Sequence, residues 1–469
     1  MTLTEQPSST SLLFSSLKLN KALVENLATM DYKEMTPIQA QSLPAIIDNK
    51  DVIGQGKTGS GKTAAFGLGL LNKLEVKKFR VQSLVLCPTR ELADQVATEI
   101  RKLARGIHNI KVLTLCGGTP TGPQIGSLEH GAHIIVGTPG RIEDHLNRGR
   151  LNLDNLTTLV LDEADRMLEM GFQDSLDLIF SLCPSERQTL LFSATFPDSI
   201  KPITERVMKN PITVKVESTH QESTINQHFY QVNDNSERLH AIRLLLQQFQ
   251  RESTVIFCNT KIECQDLADE LNNYGFSALA LHGDLEQKDR DQTLVRFANK
   301  SAAILVATDV AARGLDIDSL DAVINYHIAH DPEIHVHRIG RTGRAGATGV
   351  ALSLISHKEA HKVIRLEEYL GQSIDVEDLP DAIVLNHDMV KPNMVTLQID
   401  GGKKQKLRPG DIVGALTAGK NISFDQVGKI AMFPIRAYVA VHHEVANIAL
   451  KKISEGKMKG RNFRVRKLG

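Results

Sequence analysis

Eight residues, Gly56 to Thr63, have the types and spacing of a phosphate-binding loop, G-x-x-x-x-G-K-[ST]. Its glycines let backbone N–H groups turn inward around an anion. Lys62 can reach the β- and γ-phosphates of a nucleotide, and the hydroxyl of Thr63 can ligate Mg²⁺. The sequence therefore predicts a nucleoside triphosphate with Mg²⁺ at this loop; a glycine-rich turn matching by chance is the alternative. The residues expected to hold the nucleotide here are Gly59, Ser60, Gly61, Lys62 and Thr63.

A second acidic motif begins about a hundred residues later, where the apolar run at 158–161 ends in Asp162. Its carboxylate can hold Mg²⁺ beside the phosphate loop. Glu163 can then orient or deprotonate the attacking water. A solvated cluster of acids at a helix start would look the same. The phosphate loop favours the catalytic interpretation, because one motif would bind the phosphates while the other would hold Mg²⁺ and the attacking water.

Three arginines in His337–Arg344 could supply the positive charge that phosphoryl transfer requires. They belong to a second domain, whereas the phosphate loop belongs to the first, so hydrolysis would depend on the closure of the two domains. A basic surface loop is the alternative. A metal site is a further alternative, but no acid–histidine pattern of a known site accompanies the local histidines. Those histidines are His327, His330, His335 and His337.

The elements that would position these residues follow an alternating strand and helix pattern, which runs to about residue 209. Short apolar runs separated by helical patterns indicate a parallel sheet buried on both faces. A helix is predicted over Leu17–Met30 and a second over Ile38–Ile47. The strand that precedes the phosphate loop is expected at 51–53, and the other strands are expected at Ser83–Cys87, Lys111–Leu115, His133–Val136, Thr158–Leu161 and Thr189–Phe192.

The pattern restarts after a break at about 215–224 and predicts a second α/β domain without a phosphate loop. Helices are predicted over Ile262–Tyr274 and Gln287–Asn299. A connector is predicted around Tyr369–Asn393, where two prolines and little periodicity occur. The strands are expected at Gln227–Val232, Ser253–Phe257, Ala278–Leu281, Ala303–Ala307, Ala322–Asn325 and Val350–Leu354.

The last segment has a β-α-β-β-α-β pattern and a marked net positive charge. From Asn393 onward it carries fifteen Lys and Arg against five Asp and Glu, although the whole chain has 55 of each class. This asymmetry favours a nucleic-acid-binding module over a merely solvated lysine face. Its elements are expected at Met394–Ile399, Gly410–Leu416, Ile430–Met432, Tyr438–Val441, Glu444–Ile453 and Phe463–Arg466. An RNA-recognition sheet usually stacks RNA bases on two or three aromatic side chains, whereas this segment offers one at that position, Tyr438.

Length and composition fit a globular protein of about three domains. There is no apolar run of about 18 residues, so no membrane span is expected, and residues 1–13 do not resemble a secretory signal. The five cysteines are scattered and form no C-x-x-C pair, which argues against a disulfide framework and against a zinc site. We expect a monomer in the reducing cytoplasm.

Eleven ordered motifs make the chain resemble a DEAD-box ATP-dependent RNA helicase over residues 14–370. The resemblance implies two tandem RecA-like parallel-sheet domains, followed by a small α+β RNA-recognition-like domain. The expected boundaries are 1–213, 214–370, a linker at 371–393, and 394–469. The motifs are Thr36–Gln39, the phosphate loop, Pro88–Leu92, Gly117–Gly118, Thr138–Arg141, Asp162–Asp165, Ser193–Thr195, Val255–Thr260, His282–Asp284, Ala307–Ile317 and His337–Arg344.

The resemblance also implies roles for residues at the nucleotide. Gln39 would read the adenine edge, and Phe14 and Tyr32 would pack around the base. Asp316 would contact the ribose, and Arg341 and Arg344 the γ-phosphate. The catalytic set is then Glu163, Asp162, Lys62, Arg341 and Arg344, with ATP and Mg²⁺ as ligands. Ser193 and Thr195 would couple hydrolysis to RNA strain through Asp165.

The resemblance places RNA on both α/β domains. These contacts go mainly to phosphates and sugars, so the core is not expected to read sequence. The expected RNA-binding residues of the first domain are Pro88, Arg90, Gly118, Thr138 and Arg141, and those of the second are Thr260, Gly283 and Thr308.

Departures from the family pattern are few. Asp31 and Met35 stand where glycine and proline are usual, and Gly56 stands where alanine is usual. The segment 326–329 replaces the usual Tyr-Asp-x-Pro before the arginine motif and points to a subgroup.

The tail identifies that subgroup through the segments Ile399–Asp411, Gly414–Thr417, Gly428–Ile430 and Gly456–Arg461. They resemble the C-terminal domain of bacterial helicases that bind a hairpin of large-subunit (23S) ribosomal RNA during 50S assembly. The tail residues expected to bind RNA are Lys403, Lys404, Lys406, Arg408, Tyr438, Lys457, Lys459 and Arg461.

We therefore expect an RNA-stimulated ATPase that locally unwinds short RNA duplexes, with ribosomal RNA and 50S assembly intermediates as partners. Three alternatives stay open at this point. An ATP-dependent clamp that holds RNA without unwinding would keep every motif. A DNA helicase and an ATPase unrelated to nucleic acid fit the motifs and the basic tail less well.

Overall fold

The structure is a computed structural model that describes residues 13–56, 59–194, 196, 200–216, 225–312, 320–343, 348–419 and 421–468. The chain divides into two compact units, Met1–His220 and Gln221–Gly469. In this described part of the chain, no helix is both long and apolar enough to cross a membrane.

The first unit contains a seven-stranded parallel sheet flanked by helices. Its strands are β1 (Val52–Gln55), β2 (Ser83–Leu86), β3 (Val112–Leu115), β4 (Ile134–Gly137), β5 (Thr158–Asp162), β6 (Gln188–Ser193) and β7 (Ile212–Lys215). Its helices are α1 (Lys21–Thr29), α2 (Pro37–Ile47), α3 (Lys62–Asn72), α4 (Arg90–Leu103), α5 (Thr121–Glu129), α6 (Pro139–Asn147), α7 (Ala164–Glu169), α8 (Gln173–Ser181) and α9 (Lys201–Val207). The strand order is β3-β4-β2-β5-β6-β1-β7.

Both faces of this sheet are buried, as the continuous apolar strands predict. Val85 and Val160 belong to one core cluster, whereas Leu84 and Leu159 belong to the cluster on the opposite face. Since successive strand residues point to opposite faces, a strand between two helical layers has no polar side.

Two details of the first unit differ from the sequence prediction. Helix α1 begins at Lys21 rather than Leu17, because the Asn20 side chain accepts a hydrogen bond from the Leu23 amide and caps the helix there. Strand β7 was not predicted: it pairs with β1 at the sheet edge, where three of its four side chains are exposed.

The second unit begins with another seven-stranded parallel sheet. Its strands are β8 (Ile225–Val232), β9 (Thr254–Cys258), β10 (Ala278–Leu281), β11 (Ile304–Thr308), β12 (Ala322–Asn325), β13 (Gly349–Ser356) and β14 (Val376–Glu377). Its helices are α10 (Asn235–Phe249), α11 (Lys261–Asn273), α12 (Gln287–Ala298), α13 (Asp309–Ala312), α14 (Pro332–Ile339) and α15 (Ala360–Leu370). The strand order is β10-β11-β9-β12-β13-β8-β14. The expected second α/β domain is thus present.

The segment predicted as a connector packs on this second domain. Strand β14 lies within it and pairs with β8. Farther along, Gln247 of α10 donates to the His387 carbonyl and Gln250 donates to the Asp388 carbonyl, both at 2.9 Å. No periodic pattern marks this segment in the sequence, because these contacts use its backbone carbonyls rather than a regular row of apolar side chains.

The tail forms a four-stranded antiparallel sheet with two helices on one face. Its elements are β15 (Met394–Ile399), α16 (Pro409–Thr417), β16 (Val427–Met432), β17 (Ala437–His442), α17 (Ala446–Glu455) and β18 (Val465–Leu468). The strand order is β16-β17-β15-β18. This is the β-α-β-β-α-β order expected from the sequence.

The other face of the tail sheet packs against the second α/β domain. Thr396 of β15 is fully buried. Its hydroxyl accepts a hydrogen bond from Asn299 Nδ2 at 3.2 Å and lies 2.7 Å from the Ser301 hydroxyl. Gln398 and Tyr438, which share this face, are also buried. RNA-recognition domains commonly stack bases on this face of their sheet. In this chain the same face is instead buried against the second α/β domain.

Candidate nucleotide and nucleic-acid sites

The phosphate loop lies between β1 and α3, so the N-terminus of α3 faces the loop. Gly59 and Gly61 have φ values of +83° and +95°, which only glycine adopts readily. Lys62 is buried, and its Nζ donates to the Gly56 carbonyl at 2.6 Å. The lysine is therefore held across the loop, at the end of a helix whose dipole favours an anion.

Gln39 and Thr36 support this loop from α2. Gln39 Nε2 donates to the Gly61 carbonyl at 3.1 Å, and its Oε1 accepts from the Thr36 amide at 2.9 Å. The Thr36 hydroxyl donates to the Ser60 carbonyl at 2.7 Å. A Cβ at Gly61 would lie 2.4 Å from Gln39 Nε2. Gln39, assigned above only to adenine, thus also positions the loop.

The aromatic pair expected at the base is brought together. The rings of Phe14 and Tyr32 lie 6.1 Å apart. Tyr32 donates to Glu99 Oε1 at 3.1 Å, and burial together with the Glu99 charge raises the pKa of Tyr32. Asp31, which precedes Tyr32 and stands where the resemblance leads one to expect glycine, has φ +60°, a conformation that glycine adopts readily. Aspartate tolerates this conformation, so the departure retains the local backbone.

Asp162 ends β5 and is 3% exposed. Burial raises the pKa of Asp162 to about 7, Lys62 opposes this rise, and Glu163 adds to it. Glu163 follows with φ +53°, an unusual conformation that starts α7. The strand end therefore places one buried and one partly exposed carboxyl group side by side.

Ser193 ends β6, adjacent to β5 in the sheet. Among the described residues, its hydroxyl is buried without a hydrogen-bond partner, as is that of Ser60 in the phosphate loop. Asp165 is buried, and its Oδ1 accepts from the Arg166 amide at 2.9 Å. Thr195, the third residue expected in the coupling, lies outside the described residues.

The RNA-binding residues expected in the first domain follow β2, β3 and β4, on the half of the sheet away from β1. Thr138 precedes α6, and both Nη atoms of Arg141 donate to the Thr119 carbonyl at 3.3 Å. Gly118 has φ +69°. Pro88 and Arg90 lie between β2 and α4. All five residues therefore lie at the carboxyl edge of the sheet that also carries the phosphate loop.

In the second unit, Thr260, Gly283 and Thr308 lie at the carboxyl ends of β9, β10 and β11, which are neighbours. Thr260 begins α11 and forms a reciprocal capping pair with Glu263. A Cβ on Gly283 would meet no atom within 4 Å, so its backbone is open to a ligand. The structure brings these three predicted residues onto one edge.

Arg338 has a role that the sequence did not reveal. It is 2% exposed, with two hydrogen bonds of 2.7 and 2.8 Å to the Asp309 carboxylate. It also donates to Asn325 Oδ1 and to Asn259 Oδ1. Of the three arginines considered for phosphate, this one instead joins three motifs of the second domain. Arg341 is partly exposed, and Arg344 and Asp316 lie outside the described residues.

The histidines of this region serve other contacts. His327 Nε2 lies 2.9 Å from Glu263 Oε1, and its Nδ1 lies 3.4 Å from Glu359 Oε1. His335 Nε2 lies 3.3 Å from Gln227 Oε1. Within the described ranges, no group of three or more His, Cys, Asp or Glu side chains could hold a metal ion.

The basic tail residues gather in two loops that meet. Lys459 Nζ donates to the Lys406 carbonyl at 2.7 Å and lies 3.2 Å from Asp411 Oδ2. The side chains that these loops expose are Lys403, Lys404, Lys406, Arg408, Lys457, Lys459 and Arg461. One prediction requires correction: Tyr438 is 2% exposed on the sheet face against the second domain, so it is not available to RNA here.

Three family models match successive parts of the chain. DEAD/DEAH box helicase matches residues 36–203, the helicase conserved C-terminal domain matches 237–346, and the DbpA RNA binding domain matches 396–467. The fold is shared with solved helicases. Saccharomyces cerevisiae Dbp5 bound to RNA and ADP BeF3 is 30% identical, with a TM-score of 0.70 over 78% of this chain and 95% of that chain. DEAD-box helicase Mss116 bound to ssRNA and UDP-BeF is 27% identical, with a TM-score of 0.72 over 81% and 82%.

The two parallel-sheet domains are therefore RecA-like, and the chain belongs to the DEAD-box family of ATP-dependent RNA helicases. The ATP-dependent RNA helicase DbpA of Escherichia coli is 53% identical to it over 97% of this chain and 99% of that protein. The DEAD-box ATP-dependent RNA helicase CshA of Geobacillus kaustophilus is 46% identical over 76% of each. The similarity to DbpA includes the tail, which is an RNA-binding domain.

Proposed function

We propose that the chain unwinds short RNA duplexes locally while its tail holds 23S ribosomal RNA in 50S assembly intermediates. The observation that supports this most is the similarity to DbpA across 97% of the chain, including the tail. We further propose a monomer in the cytoplasm, with domain boundaries at 213, 370 and 393.

For ATP hydrolysis we propose that Thr63 and Asp162 hold Mg²⁺ and that Lys62 contacts the phosphates. The residues fit this group: the buried Asp162 carboxylate feels the charge of Lys62, the first residue of α3, and the buried Ser60 hydroxyl of the same loop has no hydrogen-bond partner among the described residues. Bound Mg²⁺ would neutralise charge on the β- and γ-phosphates. Glu163, partly exposed beside Asp162, orients and deprotonates the attacking water.

The base and the far side of the phosphates involve further residues. We propose that Gln39 reads the adenine edge while Phe14 and Tyr32 pack around the ring. From the second domain, Asp316 contacts the ribose, and Arg341 and Arg344 stabilise charge on the γ-phosphate. Hydrolysis then depends on closure of the two domains.

We propose that RNA lies along the carboxyl edges of both sheets. In the first domain that edge exposes helix N-termini and backbone N–H groups, which bind phosphates. In the second domain Thr260, Gly283 and Thr308 provide hydroxyl and backbone donors on adjacent strands. Such contacts do not read bases, so selection of ribosomal RNA belongs to the tail. Ser193 and Thr195 transmit RNA strain to the acidic motif through Asp165.

Selection by the tail is assigned to the two basic loops, 403–408 and 457–461. They lie together because Lys459 bridges them, and they leave seven cationic side chains exposed. Phosphate neutralisation by these side chains would make binding strongly dependent on salt.

Glu163→Gln tests the hydrolytic assignment. The amide keeps the size of the side chain but cannot accept the proton of water, so ATP and RNA binding should persist while turnover falls by about 10²–10⁴-fold. Single-turnover hydrolysis and RNA dissociation rates should be measured together. The trapped variant should release RNA slowly.

Glu169→Gln is the matched control, because Glu169 is exposed at the end of the same helix. It should hydrolyse ATP at the wild-type rate. Unchanged turnover in Glu163→Gln would refute the assigned role. Slow RNA release in the wild-type protein, without duplex separation, would instead indicate an RNA clamp.

A further inference from the structure

A cavity of about 620 Å³ lies at the carboxyl ends of β3 and β4 in the first unit. Its lining includes residues of the expected RNA motifs, among them Gly117, Thr138 and Arg141. It also includes Arg148, Arg150 and Phe172, which belong to none of the motifs. Its volume lies within the range of small-molecule sites, about 300–1,000 Å³.

The backbone wall of this cavity is open. A Cβ added to Gly117 or to Gly140 would meet no atom within 4 Å. The first turn of α6, which begins at Pro139, faces the same space. A sugar–phosphate backbone can therefore approach the main chain closely on this side.

The charge of the cavity is strongly positive. Arg141, Arg148 and Arg150 line it with one carboxylate, Asp144. Arg148 Nε lies 2.6 Å from Asp144 Oδ1, and Arg150 Nη1 lies 4.0 Å from Asp144 Oδ2. The Arg148 contact also holds the pKa of Asp144 below its usual value. Three guanidinium groups against one carboxylate leave an excess of two positive charges for a phosphodiester ligand.

An aromatic residue also lines the cavity. Phe172 precedes α8 and is partly buried in the core beside that helix. Since it also lines the cavity, the rest of its ring is accessible there. Arginines that bind phosphate, together with a partly exposed aromatic ring, are the combination with which proteins bind single-stranded nucleic acid.

We propose that Arg148, Arg150 and Phe172 form an additional nucleotide subsite, which extends the RNA path of the first domain beyond the motif residues. The ligand is a ribonucleotide of the bound strand, with its phosphate on the two arginines and its base against Phe172. The inference rests on the proposed RNA path, since Arg141 is shared by the path and the cavity. Asp144 weakens the subsite by competing for Arg148.

The test measures affinity of the full-length protein for oligouridylates of increasing length, with a nonhydrolysable ATP analogue, at several salt concentrations. Arg148→Ala and Arg150→Ala should each weaken binding about tenfold. Each should also reduce the slope of log affinity against log salt by about 0.7, the value for one single-strand phosphate contact. The loss should disappear once the RNA is too short to reach the subsite.

Asp144→Asn should change affinity in the opposite direction and tighten binding, because it releases Arg148. A purely structural role for this ion pair would not improve binding. Phe172→Leu, which keeps an apolar side chain against the core, should weaken binding without changing the salt slope. Arg105→Ala, an exposed arginine elsewhere in the same domain, is the control and should change nothing.

Arg141→Ala separates the two proposals. If it weakens RNA binding while Arg148→Ala, Arg150→Ala and Asp144→Asn leave affinity and salt slope unchanged, the additional subsite is refuted and the RNA path stands. If Arg141→Ala also has no effect, the proposed path through the first domain fails with it.

Discussion

The support that Gln39 gives to the phosphate loop leads to the sharpest prediction at the candidate nucleotide site. Its amide nitrogen donates to the Gly61 carbonyl and its amide oxygen accepts from the Thr36 amide. In Gln39→Glu, the second contact can persist, but the atom facing the Gly61 carbonyl becomes an oxygen. Two acceptors would then face each other at about the present 3.1 Å. The loop should move away from its phosphate-binding geometry.

The size of the effect follows from burial, since Gln39 is 2% exposed. Leaving a buried acceptor unpaired costs about 1–3 kcal/mol, or roughly 5- to 150-fold in affinity. The introduced carboxylate adds repulsion. Protonation of that carboxyl group would restore a donor, so the defect should diminish as the pH falls.

The assay compares dissociation constants for ATP and GTP. If Gln39 only read adenine, the substitution would lower the affinity for ATP and leave the affinity for GTP unchanged. If Gln39 also shapes the loop, the substitution should weaken the binding of both nucleotides. Gln41→Glu, which changes an exposed side chain on the same helix, should alter neither. Wild-type affinity for GTP in Gln39→Glu would refute the positioning role.

Two further predictions concern the second unit. Burial lowers the pKa of His335 to about 3, with a contribution from the Arg338 charge, whereas an unfolded histidine titrates near 6.5. The unfolded state therefore binds more protons below pH 6.5, and the free energy of unfolding should fall by about 1.4 kcal/mol per pH unit on acidification. Urea unfolding should show that this free energy depends less on pH in His335→Gln. The same pH dependence in the variant and the wild-type protein would contradict this. Thr396→Val should leave the Asn299 side-chain amide without its acceptor and remove one of the two hydrogen bonds of the Ser301 hydroxyl, whose bond to the Arg296 carbonyl remains. The expected cost is about 1–3 kcal/mol of docking stability. Hydrogen exchange in β15 should rise in Thr396→Val relative to the control Thr417→Val, whose hydroxyl bonds only within α16; equal protection would contradict the interface.

Much of the fold could be predicted because its strands are buried on both faces. Ala278–Leu281, Ala322–Asn325 and Met394–Ile399 have the predicted bounds. The edge strands β7 and β14 were missed, because exposed strands need no apolar residues. The packing of the tail sheet was also missed. Its contacts are made by Thr396, Asn299 and small polar groups, whose burial leaves no pattern in the sequence.

The candidate site was predictable wherever spacing alone fixes a backbone geometry. The phosphate loop, the acidic strand end and the helix starts expected to bind RNA all lie at carboxyl ends of parallel strands, as motif order implies. Side-chain partnerships were not predictable. The support of Gly61 by Gln39 and the burial of Arg338 against Asp309 depend on contacts between distant segments. Tyr438 was misassigned because an isolated aromatic in a strand does not reveal which face another domain covers.

Steady-state ATP hydrolysis without RNA, with unstructured RNA and with 23S ribosomal RNA, at fixed salt, tests most directly whether the tail selects ribosomal RNA. The same measurement on the double variant Lys404→Ala/Lys457→Ala tests the basic loops and leaves the interface between the tail and the second α/β domain intact. We expect strong stimulation by ribosomal RNA at concentrations where unstructured RNA has little effect. The double variant should lose that preference and keep its maximal rate. Equal stimulation by both RNAs, in the wild-type protein, would contradict selection by the tail.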